Sequence, residues 1–175
     1  MLEDLKFKPT DYSYRVDSNV WAGEYPVWEW GQGAGMQQLR LFTDFGINYF
    51  VDLSESGELP PYSSFLPYGV SRYSLPIPNG CAPADAGAVL EMFRTLQEVL
   101  AVKPETRFYI HCVGGVGRTG TIVACYYIYF HHLSADDALA LMRNRYAYHG
   151  RSPWISAPES EEQLNFINAF ADCCV

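Results

Sequence analysis

A predicted strand, a glycine-rich turn and a predicted helix follow one another over residues 108–128. The turn reads His111-Cys112-Val113-Gly114-Gly115-Val116-Gly117-Arg118-Thr119. The apolar residues before it are typical of a short buried strand, and the apolar residues after it are typical of a buried helix. Successive backbone N–H groups in such a turn can form an anion-binding nest, and the helix N-terminus adds unpaired donors and partial positive charge. The sequence therefore predicts an oxyanion site with a cysteine at its floor.

Two side chains give this loop its expected chemistry. A thiol beneath several hydrogen-bond donors is expected to ionise and to act as a nucleophile, which is the role predicted for Cys112. The planar guanidinium of Arg118 can hold a phosphoryl group through two parallel hydrogen bonds. A glycine-rich turn around an inert buried cysteine is the alternative, but such a turn needs neither the arginine nor three glycines. We therefore expect Val113, Gly114, Gly115, Val116, Gly117 and Arg118 to bind a phosphoryl group.

The string His-Cys, five residues, Arg-Thr-Gly resembles the signature loop of the cysteine-dependent protein tyrosine phosphatase superfamily. It is most similar to the compact, dual-specificity-like branch that includes bacterial-type tyrosine phosphatases. The resemblance implies phosphomonoester hydrolysis through a phosphocysteine intermediate, with no metal or other cofactor. It implies that His111 shapes the loop and that the Thr119 hydroxyl donates to the sulfur when Cys112 becomes the leaving group. Sulfurtransferases and arsenate reductases also use cysteine loops, but the Arg-Thr-Gly helix start and the late position of the loop argue against them.

Residues 76–80 depart from the pattern of the family. Relatives carry an aspartate here as the general acid, in a segment similar to Pro-Ile-Pro-Asp-Gly, whereas this chain has Asn79 at that position. An amide cannot release a proton to the leaving oxygen. Three explanations are open. Asp85 could replace the missing acid, the protein could be a slow hydrolase or a phospho-residue-binding module, or Asn79 could be an altered position.

Two later residues are candidates for auxiliary roles. Gln163 resembles the late glutamine that some relatives use to orient the hydrolytic water; a surface glutamine in the first turn of the last helix is the alternative. Arg151 could contact substrate or brace the loop. Relatives that act on inositol lipids often carry cations inside the signature loop, and Val113 to Gly117 contain none. A phosphorylated protein or a small phosphomonoester is therefore the expected substrate.

Composition narrows the remaining possibilities. The 175 residues are 49% hydrophobic, which predicts one folded domain over residues 1–175 with an N-terminal arm at 1–19. The formal net charge of −8 argues against nucleic acid or an anionic membrane as a partner. Five cysteines without regular spacing, and the lack of a signal-like or membrane-spanning run, predict a reduced cytoplasmic protein.

The order of predicted elements indicates the fold class. Strands are predicted at 20–22, 47–53, 70–75 and 107–111, and helices at 33–45, 84–101, 121–128, 134–146 and beyond Glu159. Ser156 and Glu159 have the spacing of a capping box ahead of the last helix. The alternation predicts an α/β fold, a mostly parallel four- or five-stranded sheet flanked by helices in a phosphatase-like three-layer sandwich. Such folds place ligands at the carboxyl edge of the sheet, where the signature loop lies.

Overall fold

The structure, a computed structural model, describes residues 7–27, 32–150 and 156–174, so Arg151 lies outside the described residues. Its sheet contains β1 (Ser13–Arg15), β2 (Val20–Gly23), β3 (Tyr49–Asp52), β4 (Ser71–Ser74) and β5 (Phe108–His111). The strand order is β1-β2-β5-β3-β4, with β1 antiparallel to β2 and the other neighbours parallel. The predicted mostly parallel sheet is confirmed. The fifth strand is β1, within the predicted N-terminal arm.

Helices cover both faces of this sheet. They are α1 (Gln32–Asp44), α2 (Ala86–Val102), α3 (Gly117–His131), α4 (Ala135–Tyr146) and α5 (Glu161–Cys173), with a short 3₁₀ helix at Ser63–Phe65. Strand side chains alternate between two cores, as the pleat requires. Tyr109 packs with Leu39 and Phe42 of α1, whereas Phe108 and Ile110 pack in the core formed with the other four helices. The predicted three-layer sandwich is therefore confirmed, with the central strand β5 buried along its whole length.

Helix caps show where the sequence patterns succeed and fail. Ser134 caps α4, because its hydroxyl accepts the backbone N–H of Asp137. The predicted capping box at Ser156 and Glu159 is wrong, since α5 starts later and its box is formed by Ser160 and Gln163. Both pairs have the same spacing, but Pro158 would fall inside the first turn of the earlier helix. Proline disfavours helical backbone in the residue before it, which prevents a helix from starting there.

The sheet presents the loop that follows β5 at its carboxyl edge.

No helix in the described part of the chain combines the length and the apolar character that crossing a bilayer requires.

Candidate active site

The signature loop connects the buried end of β5 to the first turn of α3. Gly115 has a positive φ of 70°, and a side chain there would collide with the backbone of Gly23 at the end of β2. Only glycine satisfies both conditions without strain. The backbone N–H of Tyr25 donates to the carbonyl of Val113 over 3.0 Å, which ties the loop to the same segment. The neighbouring strand β2 therefore fixes the path of the loop.

Cys112 lies at the floor of this loop with its side chain almost fully enclosed. The residue is 3% exposed, and its Sγ accepts a hydrogen bond from the Thr119 hydroxyl at 3.1 Å. Arg118, one position earlier in α3 than Thr119, is equally buried. Burial opposes the charge of Arg118, but its pKa lies above the usual value because Glu58 and the Cys112 sulfur stabilise the cation. The structure thus brings together the predicted nucleophile, the predicted phosphate-binding cation and the hydroxyl donor.

The Arg118 guanidinium makes four hydrogen bonds through its terminal nitrogens. Nη1 donates to Glu58 Oε2 at 2.6 Å and to the carbonyl of Ile77 at 3.0 Å. Nη2 donates to Glu58 Oε1 at 3.1 Å and to Asn79 Oδ1 at 3.3 Å. Glu58, on the loop after β3, was not identified from the sequence. Its link to Arg118 joins residues 60 positions apart, so no local motif indicates it.

His111 lies in a buried network behind the nucleophile. Its Nδ1 lies 3.2 Å from the Cys112 carbonyl, which can only accept, and its Nε2 lies 2.7 Å from the Tyr62 hydroxyl. The carbonyl partner places a proton on Nδ1, and in the neutral ring Nε2 then accepts from the Tyr62 hydroxyl. Burial lowers the pKa of His111, although the nearby Asp52 opposes this change. A neutral His111 therefore braces the backbone carbonyl of Cys112.

Asp52 and Arg72 extend this network to the edge of the sheet. Asp52 ends β3 directly opposite His111 in the strand register, and its Oδ2 accepts from Arg72 Nε at 2.9 Å. Its Oδ1 accepts the backbone N–H and the hydroxyl of Ser54. Burial opposes ionisation of Asp52, but the pKa lies below its usual value because His111, Ser54 and Arg72 stabilise the carboxylate. A polar residue ending the strand beside β5 is the one sequence signal that could have indicated this residue.

The two residues considered for the general acid occupy different places. Asn79 reaches the site, because its side-chain oxygen accepts from Arg118. Asp85 is exposed and is the N-cap of α2, where its carboxylate accepts the backbone N–H of Gly87 at 2.8 Å. The hydrogen bonds of the described residues do not link the Asp85 carboxylate to Cys112 or Arg118.

Gln163 is completely buried, so the surface interpretation of this residue is wrong. Its side-chain oxygen accepts the backbone N–H groups of Glu159 and Ser160, and its side-chain nitrogen donates to the carbonyl of Cys81 at 3.0 Å. It therefore joins the start of α5 to the loop that carries Asn79. The neighbouring Glu159 carboxylate accepts the backbone N–H of Gly117 at 3.0 Å, a contact that sequence reasoning missed.

Among the described residues, no group of three or more His, Cys, Asp or Glu side chains is arranged to hold a metal ion.

Comparison with known proteins identifies a matching family and several relatives. The model of the family described as "PTP-SAK: Swiss Army Knife protein, DSP-PTPase phosphatase domain" matches residues 31–153. Protein 067L of Invertebrate iridescent virus 3, which carries a tyrosine phosphatase name, is 28% identical over 81% of this chain and 54% of its own. The chain thus spans about half the length of that relative.

Two solved structures share the fold. The structure of Tk-PTP in its active form has a TM-score of 0.75 and 25% identity, covering 92% of this chain and 97% of that one. The structure of PTPMT1 in complex with PI(5)P has a TM-score of 0.71 and 20% identity over 94% and 97% of the two chains. Because the family model covers most of the chain and the loop, fold and relatives agree with it, this protein belongs to the PTP-SAK family of dual-specificity-type phosphatase domains.

Proposed function

We propose that this protein hydrolyses phosphomonoesters through Cys112, with Arg118 and the backbone of Val113 to Gly117 holding the phosphoryl group. One observation carries the proposal. The Cys112 sulfur accepts a hydrogen bond from Thr119 at the floor of the loop, next to the buried cation of Arg118. A sulfur anion beside a guanidinium and below a helix N-terminus combines a nucleophile with a cradle for the transferred group. The tyrosine phosphatase names of its relatives support the same reaction class.

The reaction proceeds in two displacements. The Cys112 thiolate attacks phosphorus, so the S–P bond forms as the bond to the leaving oxygen breaks. Water then attacks the phosphocysteine, the S–P bond breaks, and the sulfur regains its negative charge as phosphate forms. The Thr119 hydroxyl, 3.1 Å from Sγ, stabilises that charge in the second step. Arg118 offsets the negative charge of the phosphoryl oxygens throughout.

The leaving oxygen takes its proton from solvent in this proposal. Asn79 has no acidic proton, and the Asp85 carboxylate is engaged in capping α2. General acid catalysis contributes roughly 10²- to 10⁴-fold in rate. Turnover should therefore be efficient for acidic leaving groups and slow for alcohols.

A phosphotyrosine side chain is the substrate class that fits best. Its phenol is a better leaving group than the alcohols of serine and threonine, which matters when no acid assists. The inner loop residues Val113 to Gly117 carry no cation that could pair with additional phosphates. A lipid headgroup that carries several phosphomonoesters would find fewer cationic partners in this loop.

The test is hydrolysis of an activated aryl phosphate in the presence of a metal chelator. Wild type should turn over, Cys112→Ser should be inactive, and Arg118→Lys should be strongly impaired because lysine lacks the planar fork. Rapid mixing of wild type with the ester should release an initial burst of one equivalent of phenol per protein molecule, as expected for a phosphoenzyme. Full activity of Cys112→Ser, with unfolding midpoints matching wild type, would overturn the proposal.

Asn79 favours a second candidate, a phospho-residue-binding module with little turnover. The same cradle would then retain a phosphotyrosine peptide instead of hydrolysing it. Tight binding of such a peptide to wild type, without release of phosphate even from the activated aryl ester, would support this function. Multiple turnovers of the aryl ester would exclude it.

A further inference from the structure

Two of the chain's own carboxylates hold donors that a phosphoryl group would need. Glu58 grips Arg118 with both oxygens, at 2.6 and 3.1 Å. Glu159 accepts the backbone N–H of Gly117, the first residue of α3, at 3.0 Å. These are the two kinds of donor that bind phosphate at a helix N-terminus, a guanidinium fork and an unpaired backbone N–H. A carboxylate and a phosphoryl group present the same chemistry to both.

Donor accounting shows that Arg118 cannot add a bidentate phosphate contact without releasing a partner. The terminal nitrogens of a guanidinium carry four hydrogens, and a single further hydrogen lies on Nε. Glu58 takes two of the four, and the Ile77 carbonyl and Asn79 Oδ1 take the other two. A fork contact to phosphate uses two donors side by side. At least one present partner must therefore leave a terminal nitrogen.

Among the described partners of Arg118, Glu58 is the one whose departure frees two donors side by side, because it bonds both terminal nitrogens. It lies on the loop between β3 and the 3₁₀ helix, with its side chain 20% exposed against 3% for Arg118. Its Oε2 also accepts the backbone N–H of Glu55 at 2.7 Å, so the carboxylate can keep one hydrogen bond when it leaves Arg118. The Ile77 carbonyl and Asn79 would still orient the guanidinium after Glu58 departs. Release of Glu58 therefore exposes donors without freeing Arg118 to rotate.

Glu159 has a similar freedom on the other side of the loop. The residue is exposed, and Gln163 holds its backbone N–H rather than its carboxylate. The carboxylate can turn into solvent while α5 and the loop keep their positions. Repulsion between like charges would favour this movement when a phosphoryl dianion enters the loop.

We propose that Glu58 and Glu159 are internal competitors of the phosphoryl group, and that they set the affinity of the cradle for oxyanions. The inference rests on the proposed function, because it assumes that the loop binds phosphate. Apparent affinity falls in proportion to the fraction of molecules whose donors are free, so removing a competing carboxylate should tighten binding. The opposite role, in which Glu58 positions Arg118, predicts weaker binding when it is removed.

The experiment measures inorganic phosphate and tungstate as inhibitors of aryl phosphate hydrolysis, with calorimetric titration of the same anions. Glu58→Gln and Glu159→Gln keep the shape of each side chain and remove its charge. Each should lower the inhibition constant about 5- to 10-fold, a range discounted for the solvent exposure of both carboxylates. The double variant should bind more tightly than either. Glu55→Gln and Glu161→Gln, on the same two segments, change the net charge equally and should shift binding less than about 2-fold.

Two outcomes separate the inference from the proposed function. If wild type binds phosphate but Glu58→Gln and Glu159→Gln bind no more tightly, with unfolding midpoints near that of wild type, the carboxylates do not compete and the inference fails. If neither wild type nor any variant binds phosphate or tungstate, the loop is not an oxyanion cradle. That result overturns the proposed function, and with it this inference.

Discussion

Replacing Asn79 with aspartate should change how this protein responds to the leaving group. The two side chains have nearly the same shape, so a carboxyl oxygen should lie close to the present Oδ1, 3.3 Å from Arg118 Nη2. General acid assistance is worth roughly 10²- to 10⁴-fold. The neighbouring guanidinium favours the ionised carboxylate, which cannot donate a proton, so we expect the lower end of that range. A gain of about 10²-fold corresponds to about 2.7 kcal/mol of barrier.

The assay is kcat/KM for a series of aryl phosphates whose leaving phenols range from strongly acidic to tyrosine-like. Wild type should lose rate steeply as the leaving phenol becomes less acidic. Asn79→Asp should flatten this dependence, with the gain concentrated on phosphotyrosine and absent from the most activated ester. The variant should also acquire an alkaline limb in its pH–rate profile as the new carboxyl loses its proton. Asn79→Ala is the matched control, since it removes the contact to Arg118 without supplying an acid.

Two results would refute this reasoning. If kcat/KM of wild type does not change with the acidity of the leaving phenol, another group already protonates the leaving oxygen. The second is an Asn79→Asp variant that folds normally, hydrolyses the activated ester and still loses kcat/KM as steeply as wild type when the leaving phenol becomes less acidic. That result would mean that residue 79 does not approach the leaving oxygen.

Three further predictions concern stability and roles. Tyr62→Phe should cost about 1–3 kcal/mol in urea unfolding, because Nε2 of buried His111 loses its donor, whereas Tyr68→Phe on the exposed surface should cost nothing measurable; equal effects would contradict the network. Asp85→Ala should cost about 1 kcal/mol and Asp85→Asn almost none, with phosphatase activity unchanged in both; lost activity in Asp85→Asn would identify an acid. Burial lowers the pKa of His111 in the folded protein, so on acidification the unfolded chain binds a proton on this residue at a higher pH than the folded protein does. The free energy of unfolding should therefore fall as pH drops below about 6.5; a constant value between pH 8 and 5.5 would contradict this.

The fold was predictable because its signals are local. The strand, turn and helix around Cys112 lie within about twenty consecutive residues, and each has the periodicity or glycine content that its geometry demands. Strand β1 was missed because three residues, two of them polar or charged, show too little alternation to indicate a strand. Its pairing with β2 along the opposite chain direction stabilises it instead.

The surroundings of the nucleophile could not be read in the same way. Glu58 and Glu159 reach the loop across 60 and 42 positions of sequence, and the register of parallel strands sets Asp52 beside His111. Such contacts depend on how separate elements pack. Gln163 illustrates the point, because a polar residue in a first helical turn usually faces solvent. Here three backbone groups satisfy its amide in the interior, which offsets the cost of burying it.

Glu58 and Asn79 bond the same Arg118 nitrogen, so an acid introduced at residue 79 should respond to Glu58. While Glu58 lies on Arg118, its negative charge offsets the guanidinium and favours the protonated form of a nearby carboxyl. The pH dependence of kcat/KM reports the pKa of the acid in the free enzyme. The alkaline limb of Asn79→Asp should therefore move to lower pH when Glu58→Gln is added, because Arg118 is then less compensated. If the alkaline limb keeps its position, with both variants folded and active, Glu58 does not offset the charge of Arg118 in solution. The inference that Glu58 competes with the phosphoryl group for Arg118 would then be contradicted.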